Sequence, residues 1–482
     1  MKNRTRGVLA IAVVFVLAGG SVARAGTPGH WTRLTDMTAS NIDEVSLART
    51  ADGVLHAAWT GPTPATPSSG RDVLVSAISP TGGVGTASVV QSDWATMANP
   101  SLVASGGNGL YLFLGATRSI NPGETISNLA LLASSDGGAT WSLDPADVTT
   151  TGAAYTSDVS AALGVDGTPF VAWGSASCLC VHRGISPATA NSDFQQGLGN
   201  YGYEAGIALD PSAARPVVAW YSNGTGHNGV YAAPVDPSTG ALAGPQMQMP
   251  GTADLADGPF SGRTQVLARP GGGVYVAYEG GYPSHTRVLL WRVGDTTSSL
   301  LAQNPRQVRS VGVASTPTGR LWIFWSAQSS SGSPIVYARR SNPTASTWGA
   351  TVVVKPPTGA STSWNLVGNG QASRLDLVGS FSSGASSTAA SYHTQLLPGL
   401  SLTASPSRLH VRTARAQKVT FSVSDAGSAV SGVKVRVGSA SGTTNAKGKV
   451  TLKLGPFAHR RQLLVRATQG NYTAASVSLS VK

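Results

Sequence analysis

The sequence predicts an all-β chain, with a long body of repeated small sheets followed by a short second module of strands. Three observations carry this. Charged residues are only 12% of the 482 while Gly numbers 58, poor material for solvated helices and good material for short strands joined by turns. One strand phrase returns at intervals near fifty residues. The stretch 399–482 then changes both pattern and charge. With 41% hydrophobic residues there is apolar surface for a core, which argues against wholesale disorder.

The start of the chain, 1–25, reads as an export signal. Lys2, Arg4 and Arg6 precede an apolar run over 8–17, and Ala23-Arg24-Ala25 offers a small-x-small cleavage site. The run is too short to span a bilayer stably, and no further run reaches spanning length. The expectation is a secreted or cell-surface protein cleaved after Ala25, monomeric and not membrane-spanning.

The body, 26–398, repeats itself. A turn followed by an apolar strand with a bulky end recurs at 51–59, 108–114, 166–173, 216–220, 272–278, 319–325 and 374–378. An alternating strand follows each and stops at Pro80, Asp136, Pro187, Pro237, Asp295, Pro343 and Pro398, at spacings of 48 to 58 residues. Two clear strands with room for two more make a four-stranded β-propeller blade. The copies predict seven blades, with six as the alternative. The strand before each turn, as at 45–49 or 101–104, is then innermost, and the stretch after each stop, as at 87–91, is outermost. The seventh repeat lacks its own outer strand. Residues 30–37, which have no blade of their own, are expected to pair into it and close the ring, leaving no exposed edge.

One turn carries a family signature. Ser134-Ser135-Asp136-Gly137-Gly138-Ala139-Thr140-Trp141 fits S-x-D-x-G-x-T-W, the Asp box, and Ser341-Asn342-Pro343-Thr344-Ala345-Ser346-Thr347-Trp348 keeps its Ser, Thr and Trp at the same place in a later repeat. In such a turn Ser134 and Asp136 bond local backbone, Gly138 relieves the backbone, Thr140 follows, and Trp141 packs. The body resembles the sialidase-like Asp-box propeller superfamily, also known by its BNR repeats. In that superfamily the box is a structural turn remote from catalysis. The resemblance implies, for an active sialidase, three arginines on the substrate carboxylate, a Tyr nucleophile assisted by Glu, and an Asp acid/base. The first arginine usually sits in an F/Y-R-I-P-like motif, which Trp31-Thr32-Arg33-Leu34 does not match. Tyr203-Glu204 and Tyr278-Glu279 are adjacent pairs, and neighbours on a strand face opposite ways, so neither is that arrangement by itself.

Ligands of propellers meet the mouth of the central channel, where innermost strands begin. The starts hold Asp43, Glu44, Asn99, Asp158, Glu204, Arg263, Arg309 and Asn365. Asp43, Glu44, Asp158, Glu204, Arg263 and Arg309 are the candidate ligand-binding set. The same residues would also serve as a polar lining of a wet channel, or supply paired carboxylates for glycoside hydrolysis. The reading is extracellular recognition of a carbohydrate or cell-surface ligand, with an exo-sialidase-type hydrolase as the alternative. No catalytic residue is nominated. Cys178, Cys180 and His182 share one strand face, but the two cysteines read as a disulfide or buried thiols before a metal site. No phosphate loop or nucleophile elbow is present, and no cofactor or metal is expected.

The tail, 399–482, holds 13 Lys and Arg against one acid, Asp425, whereas the body carries 17 basic and 21 acidic residues. Its clean alternation suggests a small β-sandwich. Residues 431–435, 444–450 and 471–475 resemble bacterial Ig-like or carboxypeptidase-regulatory-like modules, which implies a spacer or adhesion unit. Lys434, Arg436, Lys449 and Lys453 alternate with apolar residues and are expected on an exposed face that attracts an anionic polymer. Exposed aromatics are not interleaved with them, which argues against nucleic acid.

Overall fold

The computed structural model describes residues 26–35, 44–66, 70–117, 128–144, 148, 159–174, 179–185, 202–224, 227–255, 264–383, 389–411 and 415–482. The export segment 1–25 lies outside the described residues, as do Asp43, Asp158, Cys178 and Arg263. The described chain is all strand, turn and loop, with no helix. No helix among these residues is long and apolar enough to cross a membrane.

The described body forms seven small antiparallel sheets. Their innermost strands are Ser46–Arg49, Ser101–Gly106, Ser160–Leu163, Gly202–Asp210, Gln265–Ala268, Val308–Ser315 and Ala360–Gly370. Each inner strand packs against the next, and the last returns to the first, so the sheets stand around a central axis in a β-propeller arrangement. The second strands, such as Pro169–Gly174, Val274–Gly280 and Leu321–Gln328, are buried along almost their whole length. A neighbouring sheet covers each of their faces, which is why they read as continuous apolar runs. The seventh sheet takes its fourth strand from the start of the chain, with Thr32 opposite His393 and Arg33 opposite Tyr392.

The sheets are stitched together by serines. The Ser46 hydroxyl accepts the Leu102 N–H at 2.8 Å, Ser101 that of Ala161 at 2.9 Å, Ser160 that of Ile207 at 3.1 Å, and Ser310 that of Leu366 at 3.1 Å. A short hydroxyl near the head of one inner strand thus satisfies a backbone donor on the next, where no ladder bond is available. Where the fourth sheet needs an equivalent, it has Gly206. A Cβ there would stand 2.3 Å from the Thr264 carbonyl oxygen, so the backbones meet directly.

At the closure, Asp376 is fully buried and accepts from Arg49 of the first sheet. His393 Nε2 lies 2.9 Å away, Gln395 Nε2 2.9 Å and Gln371 Nε2 2.7 Å. Burial would raise this carboxyl, but the His393 bond and charge, Arg49 and Gln395 together hold it below the usual carboxylate range.

Residues 401–482 form two packed sheets. One holds Ser401–Ser405, Gln417–Asp425, Lys449–Leu454 and Ser428–Ala429, and the other Arg408–Leu409, Ala475–Val481, Arg461–Thr468, Lys434–Val437 and Ala440–Thr443. Alternate residues, among them Val419, Phe421, Val423, Val433, Val435 and Val465, fill the space between. The module is fastened to the sixth sheet of the body. Asp425, 2% exposed, pairs with Arg340 and sits 3.3 Å from Arg320. The Arg340 guanidinium lies over Trp322 at 5.7 Å and over Tyr472 at 5.9 Å, and Thr347 donates to the Ala426 carbonyl at 2.6 Å.

Candidate functional site

Antiparallel order places the starts of the innermost strands and the ends of the second strands at one end of the ring. Glu44 lies two residues before the first inner strand, Glu204 near the start of the fourth and Arg309 near the start of the sixth. Glu44, 4% exposed, lines a channel cavity of about 290 Å³ whose walls come from all seven inner strands, including Ser46, Ser101, Ser160, Thr264 and Asn369. Its N–H donates to Asn99 Oδ1 at 2.8 Å, tying the first sheet to the second. Asp43, Asp158 and Arg263 lie outside the described residues.

The densest chemistry at this end lies between the fourth, fifth and sixth sheets. Tyr221 and Tyr278 lie near the ends of the second strands of the fourth and fifth sheets and share one buried core. The Tyr278 phenol is 2% exposed, and its hydroxyl has no hydrogen-bond partner among the described residues. Burial holds it well above its ordinary value, and the charges of Glu204 and Glu279 and the nearby Tyr221 push it the same way. Glu279 is itself 1% exposed. Tyr278 and Glu279 do face opposite ways along their strand, as alternation requires. The coupling of Tyr278 to Glu204 across two sheets was not legible beforehand, because nothing in the sequence pairs positions so far apart in the chain.

Glu204 is held in an unusual backbone. Its φ is +59°, beside a register shift between Tyr203 and Gly206, and its carbonyl accepts the Thr264 N–H at 2.8 Å. A non-glycine residue in this region costs on the order of 1–3 kcal/mol and persists only where its surroundings over-determine it. The charge of this carboxylate is felt at Tyr278 of the neighbouring sheet. His285, 2% exposed, stands at +45° in the loop closing the same end. It packs edge-on against Tyr282 at 5.8 Å, and its carbonyl accepts the Val308 N–H at 2.8 Å. Neither backbone is legible in the sequence, since Glu204 lies within a strand and His285 in a loop where no turn motif marks a left-handed position.

The signature turn lies at the opposite end of its sheet. Asp136 accepts the Thr140 N–H at 2.9 Å and the Thr140 hydroxyl at 2.6 Å, Ser134 accepts the Gly138 N–H at 2.9 Å, and Trp141 donates to the Gly138 carbonyl at 3.1 Å. The Thr140 hydroxyl, then its backbone N–H and then Ser134 hold the Asp136 carboxyl at about 2. The second copy reaches the same shape differently. Ala345 takes Gly138's place at φ +58°, and Asn342 Oδ1 accepts the Ser346 and Thr347 N–H groups at 2.9 and 3.3 Å. With Pro343 where the aspartate stood, the Thr347 hydroxyl is released to bind the tail.

Cys180 is buried and disulfide-bonded. Among the described residues no three His, Cys, Asp or Glu side chains gather as metal ligands would. Lys434, Arg436, Lys449 and Lys453 are all exposed, but they do not share a face. Lys434 and Arg436 stand on one sheet of the tail and Lys449 and Lys453 on the other. Alternation tells in from out, not which sheet a strand will join.

No family model matches this chain, and no curated protein matches it. Among solved structures, a protein of unknown function from Dyadobacter fermentans is similar at 10% identity and a TM-score of 0.46, over 78% of this chain and all of that one. The Hadza microbial sialidase Hz136 is similar at 12% identity and 0.41, over 77% of this chain and 68% of its own. A GH93 α-L-arabinofuranosidase of Fusarium graminearum, in complex with arabinobiose, is similar at 13% identity and 0.43, over 66% and 97%.

Proposed function

We propose that this chain is an exported, seven-bladed β-propeller of the Asp-box kind that recognises a carbohydrate at the mouth of its ring. An Ig-like module follows it and engages an anionic polymer. The observation that carries the recognition reading is the half-buried Glu204 at one end of adjacent blades, backed by the buried Tyr221, Tyr278 and Glu279. A carboxylate accepts from sugar hydroxyls, and a strained Glu204 is held ready rather than recruited. Export rests on the segment 1–25, and N-terminal sequencing of protein recovered outside the cell should begin at Gly26.

Glycoside hydrolysis is the second reading, favoured by a tyrosine coupled to two carboxylates. The state of Tyr278 weighs against it. A nucleophilic phenol must lose its proton and reach the substrate, whereas this one is almost fully covered and held toward its neutral form. The discriminating experiment screens the chain lacking 1–25 against a glycan array and a fluorogenic sialoside. Glycan binding that falls at least about tenfold in Glu204→Gln, with no turnover, supports recognition. Steady release of sialic acid, lost in the same variant, would replace that reading with the enzymatic one.

A further inference from the structure

We propose that the anionic polymer docks on the end of the tail module farthest from the propeller, and that its class is a linear acidic polysaccharide. The inference rests on the reading of the tail as a polyanion-binding module, and it replaces the strand faces with a different surface. Strand register brings four chain segments to one pole. The strand Arg408–Leu409 lies beside the end of Ala475–Val481, with Arg408 opposite Ser480, and Arg461 lies opposite Val481 on the other side. The Val411 N–H donates to the Lys482 carbonyl at 2.9 Å, and the His410 N–H to Gln417 Oε1 at 3.0 Å, so the start of Gln417–Asp425 joins the group. Lys418 there stands directly opposite Lys453, from which the chain runs through Arg460 to Arg461.

Arg408, Arg415, Lys418, Lys453, Arg460, Arg461 and Lys482 are all exposed at this pole. The tail's one acid is at the other end. Asp425 closes the strand that Gln417 opens, eight steps of about 3.3 Å away, several times the screening length of about 8–10 Å in moderate salt. It is also covered by Arg340 and Arg320, so it cannot offset the pole. Like charges placed directly opposite cost stability. The strand face has such a pair too, Arg436 opposite Arg466, so what sets the pole apart is that four chain segments deliver cations to it.

The absence of stacking surface selects the partner class. The tail's three aromatics are Phe421 and Phe457, both buried, and Tyr472, which packs on Arg340 at the propeller end. Phe457 lies beneath the Arg461 guanidinium at 5.0 Å. Bound nucleobases want exposed rings, and a membrane surface wants an apolar face beneath its cations. A flexible chain of carboxylates or sulfates needs only spaced cations.

The test titrates the chain lacking 1–25 with fluorescent heparin at about 0.05 M and about 0.5 M salt. Two triple variants remove the same charge: Arg408→Gln/Arg415→Gln/Arg460→Gln at the pole, and Lys434→Gln/Arg436→Gln/Lys449→Gln on the strand faces. The pole variant should bind at least about tenfold more weakly and the face variant less than about threefold, with binding of the parent lost at high salt. Lys418→Gln alone should melt no lower than the parent yet bind more weakly. Equal losses in the two triple variants would show that total charge and not the pole matters, leaving the broader reading standing. No binding of the parent at low salt would remove the polyanion reading itself. Tighter binding of single-stranded DNA or anionic vesicles than of heparin would overturn the partner class.

Discussion

His56 and Asp376 make the molecule's acid sensitivity a residue-scale matter. Burial lowers the His56 imidazole below its ordinary value, Asp52 opposing and Arg49 adding to the effect, with the Thr50 hydroxyl 3.2 Å from Nε2. A histidine that stays neutral when folded binds its proton more readily in the unfolded chain. Its contribution is therefore present above the unfolded value of about 6.5 and is lost as pH falls below it. Asp376, held low by its partners, contributes above about 3.9 and loses that contribution only as pH drops through its lower folded value. Chemical denaturation from pH 8 to 3 should therefore show two declines. His56→Gln should flatten the upper one and leave the lower. An unchanged profile in that variant would mean His56 is not the group titrating. Neither residue stood out in the sequence, because burial and partners, not residue type, decide which histidine or aspartate is perturbed.

Strand position was legible where turn chemistry marks it. The turn phrases at 51–59, 166–173 and 319–325 precede or contain the strands Leu55–Pro62, Pro169–Gly174 and Leu321–Gln328. The expected inner strands at 45–49 and 101–104 correspond to Ser46–Arg49 and Ser101–Gly106. What remained hidden is how elements join sideways, since a serine in a strand looks like any other serine until its neighbour is known. Ser101, 4% exposed, is the clearest case, its hydroxyl accepting the Ala161 N–H at 2.9 Å. Ser101→Ala leaves that buried donor without its acceptor and should cost about 1–3 kcal/mol in urea unfolding, while Ser135→Ala, in the exposed turn, should change little. If Ser101→Ala is as mild as Ser135→Ala, water or a shifted backbone replaces the hydroxyl and the stitch is not structural. The same logic explains the degenerate second signature turn. Its sequence lost an aspartate and a glycine, yet its backbone is kept by Asn342 and Ala345, and its threonine works for the neighbouring module.

At the scale of the whole molecule, the charge break at residue 399 reads as two independent pieces, and the structure joins them. Gly399 bridges to Ala350 on one side and Thr473 on the other, so the chain enters the tail already paired. The only acid in the tail supplies the clamp, and a lone aspartate among 13 cations gave no hint in the sequence that its partners would be arginines of the body. Asp425 is 2% exposed and Arg340 5%, so removing one partner leaves the other charge buried and uncompensated. Breaking such a pair ordinarily costs about 3–5 kcal/mol, more than a deletion at an exposed pair would. The cost falls on the joint, because each module keeps its own core: the tail's apolar cluster contains no body residue. Asp425→Ala should therefore split a single calorimetric transition into two and expose the segment around Leu397–Leu400 to protease. Lys418→Ala, at the far pole, should do neither. The double variant Asp425→Leu/Arg340→Leu removes both charges and should recover part of the coupling through apolar packing against Trp322 and Tyr472. If Asp425→Ala melts in one transition at the parent temperature, the β-bridges and the Thr347 bond hold the modules together without the ion pair.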